Sequence, residues 1–196
     1  ISTNGVGYRA AKYGTMGDQV LGLEVALANG DIISTKGLPI TSAGPSLNQL
    51  FIGSEGILGV ITEATISTYP IQEKQVIIGM TFPDFESGFS AIIQISHSNL
   101  NPSVIDFGQE LRNTDVESKW EITLYLMFEG LENSVRTSSL EAIGICRTLH
   151  GEMVPDSQSI AFWQNRHSAA RLYEKEVLDN ADVYKRRRNR DYYRME

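Results

Sequence analysis

The chain has 196 residues, 41% of them hydrophobic, and a formal net charge of −7. This composition is sufficient for the core of one large or two small domains, and no apolar run approaches the roughly 20 residues that a membrane-spanning helix needs. Residues 1–183 carry a charge of −11 and residues 184–196 carry +4, so the acidic body argues against nucleic-acid binding as the main task. We expect a cytoplasmic protein or one bound peripherally to a membrane.

The chain ends indicate whether the sequence is complete, and the Cys and His residues limit the possible disulfide, nucleophile and metal sites. The sequence begins at Ile1 without Met and ends in a charged, aromatic run, so we expect a piece of a longer protein. Cys146 is the single cysteine, which excludes an intrachain disulfide, and its apolar neighbours predict a buried side chain rather than a nucleophile. His97, His150 and His167 lack the spacing of metal ligands, so no metal site is predicted.

The first 14 residues predict a loop followed by a short helical turn. Residues 1–7 are small, polar or glycine, and residues 8–14 are Tyr-Arg-Ala-Ala-Lys-Tyr-Gly. Consecutive backbone N–H groups in such a loop can form an anion-binding concavity, which suits the pyrophosphate or the ring edge of a dinucleotide. An ordinary loop that caps a helix through Ser2 or Thr3 is the alternative.

A β-hairpin is predicted next. Residues 18–28 mix alternating and continuous apolar positions, Asn29-Gly30 is a strong turn signal, and residues 31–35 form the return strand. Residues 37–45 then predict a loop rich in Gly, Pro, Ser and Thr, and residues 46–51 predict a turn of helix.

Residues 51–65 combine three glycines with a carboxylate between two apolar runs: Phe-Ile-Gly-Ser-Glu-Gly-Ile-Leu-Gly-Val-Ile-Thr-Glu-Ala-Thr. Gly53, Gly56 and Gly59 allow positive φ or close approach to a ligand, and the β-branched residues that follow predict a strand. The motif lacks the Lys-Ser/Thr of a P-loop and the Rossmann spacing, so neither nucleotide signature is met. A hairpin that only turns the chain is the alternative.

The second half of the chain predicts a ferredoxin-like module. Strands are predicted at 76–82, 104–105 and 121–129, with a last strand after the second of two helices, at 85–96 and 132–149. Asp84 is the expected cap of the first helix. This strand, helix, strand, strand, helix, strand order is the split βαβ arrangement. Tyr69-Pro70 and the polar residues 72–75 mark a domain boundary before it.

Two segments carry a resemblance to a known family. Residues 53–64, Gly-Ser-Glu-Gly-Ile-Leu-Gly-Val-Ile-Thr-Glu-Ala, resemble a segment of the FAD-linked oxidases of the vanillyl-alcohol-oxidase or PCMH type. This family includes D-lactate dehydrogenases, the FAD subunit of glycolate oxidase and alkylglycerone-phosphate synthase. Residues 1–7 with Tyr13-Gly14 resemble a second family segment, in the same order. The resemblance implies an α+β fold, with the second part of a PCMH-type FAD-binding domain at 1–72 and a ferredoxin-like substrate cap at 73–196.

The resemblance also implies which residues contact FAD and substrate. Contact with FAD is implied, mostly through backbone groups, for Ser2, Thr3, Asn4, Gly5, Val6, Gly7, Tyr13, Gly14, Glu55, Gly56, Ile57, Leu58, Gly59, Val60 and Ile61. Trp163-x-x-Arg166 is similar to a helix of the family's cap that lies near the substrate. Arg166 is therefore the candidate clamp for a carboxylate or phosphate, with Arg171 as the substitute if the register differs. A helix-surface arginine in a local salt bridge is the alternative. No catalytic residue is identified, and His167 has a minor claim as an acid/base group.

The implied activity is an FAD-dependent oxidation of a small, anionic 2-hydroxy acid by hydride transfer to the flavin. An ether-lipid enzyme like alkylglycerone-phosphate synthase is one alternative, although residues 103–107 are Ser-Val-Ile-Asp-Phe where that enzyme has a required arginine in Ser-Ile-Arg-x-Met-Asp. An inactive fragment or a cofactor-free scaffold is the other. A homodimer is compatible with the sequence.

The basic run at 185–190, with Tyr184, Tyr192 and Tyr193 beside it, has two interpretations. We favour a solvated helix or the rim of an anionic pocket over a nucleic-acid patch, because the body of the chain is acidic.

Overall fold

The structure is a computed structural model that describes residues 1–39, 44–113, 118–168 and 170–171. The chain forms two compact units, Ile1–Pro155 and Asp156–Glu196. The basic run at 185–190 and its three tyrosines lie outside the described residues, as do positions 40–43 of the loop predicted at 37–45.

A three-stranded antiparallel sheet occupies the N-terminal part of the first unit, in the order β2-β1-β3. Its strands are β1 (Val20–Ala26), β2 (Ile32–Ser34) and β3 (Val60–Ile66). The predicted Asn29-Gly30 turn joins β1 to β2, and Gly30 has a φ of +89° there. Glycine suits the position because residues with a Cβ rarely adopt positive φ.

Two one-turn helices lie in the same N-terminal part of the chain as this sheet. They are α1 (Ala10–Tyr13) and α2 (Asn48–Phe51), and a 3-10 turn spans Gly17–Gln19. Phe51 of α2 packs with Leu23 and Val25 of β1 in a small buried cluster. This cluster ties the start of the glycine-bearing loop to the central strand of the sheet.

The second sheet has four antiparallel strands in the order β5-β6-β4-β7. Its elements in chain order are β4 (Lys74–Phe82), α3 (Phe85–His97), β5 (Val104–Asn113), β6 (Ser118–Gly130), α4 (Glu132–Thr148) and β7 (Glu152–Met153). This order confirms the predicted split βαβ arrangement. Strand β5 is much longer than the two residues predicted, because it pairs with β6 along its whole length. That backbone pairing does not require the apolar pattern used in the prediction.

The helices α3 and α4 pack on one face of the second sheet. The buried side chains between these layers include Met80, Leu124, Leu126 and Phe128 from the strands and Ile95, Ala142 and Cys146 from the helices. Burial of Cys146 agrees with its prediction. Asp84 caps α3 as predicted, because its carboxylate accepts a hydrogen bond of 2.7 Å from the backbone N–H of Ser87.

Residues 67–73 connect the two sheets, and the domain boundary predicted after residue 72 falls in this connection. Both sheets nevertheless belong to the first compact unit, and the boundary stays a prediction. The second unit begins with α5 (Asp156–Asn165). Within the described part of the chain, no helix combines the length and the apolar character needed to cross a bilayer.

Candidate cofactor cleft

The two glycine-bearing segments singled out in the sequence lie side by side. The backbone N–H of Gly53 donates to the Ile1 carbonyl over 3.2 Å, and that of Glu55 donates to the Ser2 carbonyl over 2.9 Å. Glu55 and Asn4 both have positive φ, at +52° and +46°, which is uncommon for residues other than glycine. The N-terminal segment and the loop therefore form one continuous surface.

An open cleft of about 900 Å³ lies beside the N-terminal segment. This volume is in the upper range for ligand sites. None of the described residues that line it is acidic, so its electrostatics favour a neutral or anionic ligand. Several lining residues were not predicted from the sequence, and a cation two residues after the last glycine of the loop was the signal that could have identified Arg9. The lining consists of Ile1, Thr3, Gly5, Val6, Gly7, Arg9, Ala10, Tyr13, Gly14, Met16, Gln19 and residues 68–72.

Glycine keeps the wall of the cleft open at two positions. A Cβ at Gly7 would meet no atom within 4 Å, and a Cβ at Gly5 would meet only the Thr3 hydroxyl oxygen, at 3.9 Å. A ligand can therefore lie directly against this backbone. Gly14 is different, because it has a φ of +72° and a Cβ there would lie 2.5 Å from Oδ2 of Asp18. Its role is to allow the turn that follows α1.

The loop after Glu55 contributes little to the cleft itself. Gly56, Ile57 and Leu58 are exposed, and a Cβ at Gly59 would lie 2.6 Å from Cγ1 of Val25 on β1. The cleft lining contains none of residues 55–61, and positions 60 and 61 belong to β3. Contact between these residues and a cofactor stays a prediction.

Tyr13 lies in the cleft wall within a polar network. The side-chain nitrogen of Gln72 donates to the Tyr13 hydroxyl over 3.2 Å, and the ring centroids of Tyr13 and Tyr69 are 4.4 Å apart. Burial raises the pKa of Tyr13 to about 12, and a hydrogen bond to Glu129 and the negative charge of that residue add to the rise. The phenol is therefore protonated at neutral pH and serves as a wall of the cleft rather than as a base.

Glu129, at the end of β6, joins the second sheet to α1. Its carboxylate oxygen Oε2 lies 3.5 Å from Nε of Arg9 and accepts a hydrogen bond of 2.9 Å from the side chain of Gln75. The ammonium group of Lys12 donates to the backbone carbonyl of Glu129 over 2.6 Å. Glu129 was not predicted as a site residue, because a single glutamate at the end of an apolar strand belongs to no motif.

The candidate anion clamp belongs to the second unit. The guanidinium of Arg166 lies over the ring of Trp163, 3.9 Å from its centroid, and donates to the Trp163 carbonyl oxygen. The backbone N–H of Arg171 donates to the His167 carbonyl over 3.1 Å. The Trp-x-x-Arg spacing thus produces a local contact one helical turn long. Substrate binding by Arg166 or Arg171 stays a prediction.

Known proteins share sequence and fold with this chain. Residues 1–36 match the family model described as FAD binding domain. The chain is 35% identical over 151 residues to D-lactate dehydrogenase of Archaeoglobus fulgidus, a match that covers 71% of this chain and 34% of the relative. It is 39% identical over 200 residues to glycolate oxidase subunit GlcD of Bacillus subtilis, covering 93% of this chain and 43% of the relative. A solved structure of alkyldihydroxyacetonephosphate synthase superposes with a TM-score of 0.66 at 21% identity, covering 78% of this chain and 32% of that chain.

The fold is of the α+β class, as the resemblance implies, and residues 1–36 match an FAD binding domain. The chain is homologous to the FAD-linked dehydrogenases and oxidases, which confirms the resemblance found in residues 1–14 and 53–64. It spans about a third to two fifths of the length of these curated relatives.

The residues of the cleft fit FAD as a ligand. The open backbone surfaces of Gly5 and Gly7 would lie against the cofactor. The half-exposed guanidinium of Arg9, which is paired with Glu129, is the charged side chain among the described lining residues and would face the pyrophosphate. Tyr13 and Tyr69 offer aromatic surfaces beside these polar groups.

Proposed function

We propose that the protein is an FAD-dependent oxidoreductase that oxidises a small 2-hydroxy acid by hydride transfer to the flavin. The observation that carries this proposal is the glycine-walled cleft, lined largely by the segment that matches the FAD binding domain. Its described lining residues include no acid. The substrate class follows from the names of two relatives, D-lactate dehydrogenase and glycolate oxidase, because lactate and glycolate are 2-hydroxy acids.

In this proposal one part of the chain binds the cofactor and another part binds and orients the substrate. Residues 1–72 form part of the FAD-binding domain, in which Thr3, Gly5 and Gly7 contact the cofactor and residues 55–61 lie against its ADP part. Residues 73–196 form part of the substrate cap, where Arg166 or Arg171 binds the substrate carboxylate through two parallel hydrogen bonds. When bound, FAD supplies the hydride acceptor.

Binding of flavin, and then reduction of that flavin by substrate, test the proposal in sequence. The protein, purified from flavin-replete cells, is expected to show the absorption spectrum of bound flavin. Addition of D-lactate or glycolate without oxygen is expected to bleach that spectrum, whereas the corresponding 2-oxo acids leave it unchanged. A purified protein without flavin would contradict the cofactor assignment, and a flavin that no 2-hydroxy acid bleaches would contradict the substrate class.

A pair of glycine variants tests whether the cleft itself holds the flavin. Gly7→Leu places a side chain in the open space of the cleft wall, whereas Gly144→Leu places the same side chain in open space on the exposed surface of α4. We expect Gly7→Leu to lower the flavin content per chain and Gly144→Leu to keep it. Equal flavin contents in both variants would place the cofactor elsewhere.

An ether-lipid synthase is the second candidate, supported by the fold shared with alkyldihydroxyacetonephosphate synthase. The segment Ser103-Val-Ile-Asp-Phe weighs against it, since no guanidinium stands where that enzyme has its required arginine. Conversion of acylglycerone phosphate to alkylglycerone phosphate by the purified protein would favour this candidate. We also propose that the protein forms a homodimer, which sedimentation would test. Its proposed location is the cytoplasm or the membrane periphery.

A further inference from the structure

The helical turn α1 forms part of the cleft wall, yet it packs against the second sheet. Ala10 and Tyr13 of this turn, and Arg9 just before it, line the cleft, while α1 contacts β5. The turn has four residues, none of which is buried, and an isolated helix of that length is unstable in water. Its place in the cleft wall therefore depends on tertiary contacts.

Three contacts join this turn to Glu129 at the end of β6. Nε of Arg9 lies 3.5 Å from the Glu129 carboxylate, to which the Tyr13 phenol also hydrogen-bonds. The ammonium group of Lys12 donates to the Glu129 backbone carbonyl over 2.6 Å. Glu129 pairs with Gln75 in the β4–β6 ladder, and its side chain is wholly buried. The sheet therefore holds both acceptor groups in fixed positions.

The described lining of the cleft includes neither Glu129 nor Lys12. An effect of these two residues on a ligand in the cleft must therefore pass through α1. When a ligand binds only the conformation in which a wall is in place, its apparent Kd rises as the population of that conformation falls. Contacts that fix α1 against β6 thus raise the affinity for a ligand that they do not touch.

We propose that Glu129 and Lys12 are positioning residues for the cofactor, which hold α1 against β6 and so keep the cleft wall in place. This role rests on the binding of FAD in the cleft. A strand that we assign to the substrate cap thereby supports the cofactor site. Linkage makes the effect reciprocal: bound FAD stabilises the contact between α1 and β6 by the factor by which that contact raises FAD affinity.

The opposite charges of the two residues separate positioning from direct attraction or repulsion of the ligand. The pyrophosphate of FAD is negatively charged. Loss of the Glu129 charge would by itself strengthen its attraction to the cleft, whereas loss of the Lys12 charge would weaken it. Loss of the contact with α1 weakens binding in both cases. A lower FAD affinity after either substitution therefore indicates positioning, because an electrostatic effect alone would have opposite signs.

Titration of the flavin-free protein with FAD measures these affinities. Glu129→Leu removes the carboxylate at a similar side-chain volume, and we expect it to raise the Kd for FAD about 10-fold. Lys12→Met removes one exposed anchor and is expected to raise the Kd about 3- to 10-fold. Glu129→Gln keeps an acceptor oxygen for α1, so its Kd should stay within about threefold of the wild-type value.

Two control variants remove the same charges at a distance from α1. Glu121→Leu lies near the opposite end of β6, and Lys36→Met lies in the segment after β2, outside the described cleft lining. Both are expected to bind FAD as the wild type does. Circular dichroism shows which variants are folded. Lys12→Met, whose side chain is exposed, decides the matter if Glu129→Leu does not fold.

Hydrogen exchange gives a readout that does not depend on flavin affinity. The amides of residues 10 and 12–14 donate to carbonyl groups within the turn, so their exchange reports its opening. Without FAD, we expect Glu129→Leu and Lys12→Met to accelerate exchange at these amides and to leave exchange within α4 unchanged. In the wild type, FAD is expected to slow exchange at the same amides.

The outcomes distinguish this role from the proposed function. If the wild type binds FAD and both folded variants bind it equally well, the positioning role is overturned and the proposed function stands. Tighter binding of FAD by Glu129→Leu overturns it too, because charge would then outweigh position. Unchanged exchange at residues 10 and 12–14 in both variants has the same consequence. A wild type that binds no FAD contradicts the cofactor assignment, and the positioning role with it.

Discussion

Arg9 and Glu129 form an ion pair in which the two side chains differ widely in exposure. Nε of Arg9 lies 3.5 Å from Oε2 of Glu129, and 45% of the Arg9 side chain is exposed whereas that of Glu129 is wholly buried. The pair connects the wall of the cofactor cleft to the second sheet. Since an exposed guanidinium can be hydrated and a buried carboxylate cannot, the two halves of the pair contribute unequally to stability.

Removing the cation is therefore expected to cost more than neutralising the acid. Arg9→Met leaves the buried carboxylate with the neutral partners Gln75 and Tyr13 and should lower the free energy of unfolding by about 1–3 kcal/mol. Glu129→Gln leaves a guanidinium that water can reach and should cost less than about 1 kcal/mol. Urea unfolding of both variants measures the difference. A larger loss of unfolding free energy for Glu129→Gln than for Arg9→Met would contradict the expectation that the buried carboxylate needs its partner more than the exposed guanidinium does.

Two helical glycines should respond in opposite ways to the same substitution. A Cβ at Gly144 in α4 would meet nothing within 4 Å, so Gly144→Ala is expected to stabilise the protein by about 0.5–1 kcal/mol. A Cβ at Gly88 in α3 would lie 2.5 Å from Cε2 of Phe107 and 3.2 Å from Cδ2 of Phe82. Gly88→Ala should therefore destabilise by about 1–3 kcal/mol through overpacking. The denaturant midpoints of the two variants measure whether each substitution raises or lowers stability. A stabilised Gly88→Ala variant would contradict the close packing of Gly88 against Phe107 and Phe82.

The cap of α3 should make stability depend on acid pH. The pKa of Asp84 is lowered from 3.8, first by the hydrogen bond from the Ser87 backbone and then by the Ser87 side chain. A carboxyl group with a lowered folded-state pKa stabilises the fold above its unfolded pKa, and this contribution is lost as the pH falls through the lowered value. Asp84→Ala should thus lower Tm at neutral pH and lose less on acidification than the wild type. Asp84→Asn, which keeps an acceptor at the cap, is expected to retain more of the neutral Tm than Asp84→Ala.

The single cysteine offers a reporter for opening of the second sheet. Burial raises the pKa of the Cys146 thiol from 9.0 to about 11, which lowers the thiolate fraction about 100-fold near neutral pH. Reaction with a thiol-specific disulfide reagent should be at least about 100-fold slower in the native protein than in urea. Labelling of the native protein at the rate of the unfolded chain would show that α4 does not hold the Cys146 side chain against the second sheet.

Local sequence patterns predicted most of the elements and the order of the second module. The Asn29-Gly30 turn, the Asp84 cap and the spacing of apolar residues in α3 and α4 are properties of adjacent residues, so they can be identified without the fold. The length of β5 could not be predicted in this way, because it depends on a backbone partner in β6.

In the candidate site, too, local features could be predicted from the sequence and contacts between distant residues could not. Sequence by itself determined that residues 1–7 and 53–59 are glycine-bearing segments, and their resemblance to a known family implied FAD binding. Gly53, Gly56 and Gly59 could be recognised because positive φ favours glycine. Only the tertiary structure decided that the backbone N–H of Glu55 donates to the Ser2 carbonyl and that Glu129 lies against Arg9. These contacts join residues far apart in the chain, through backbone groups or single carboxylates, and neither leaves a pattern in neighbouring residues.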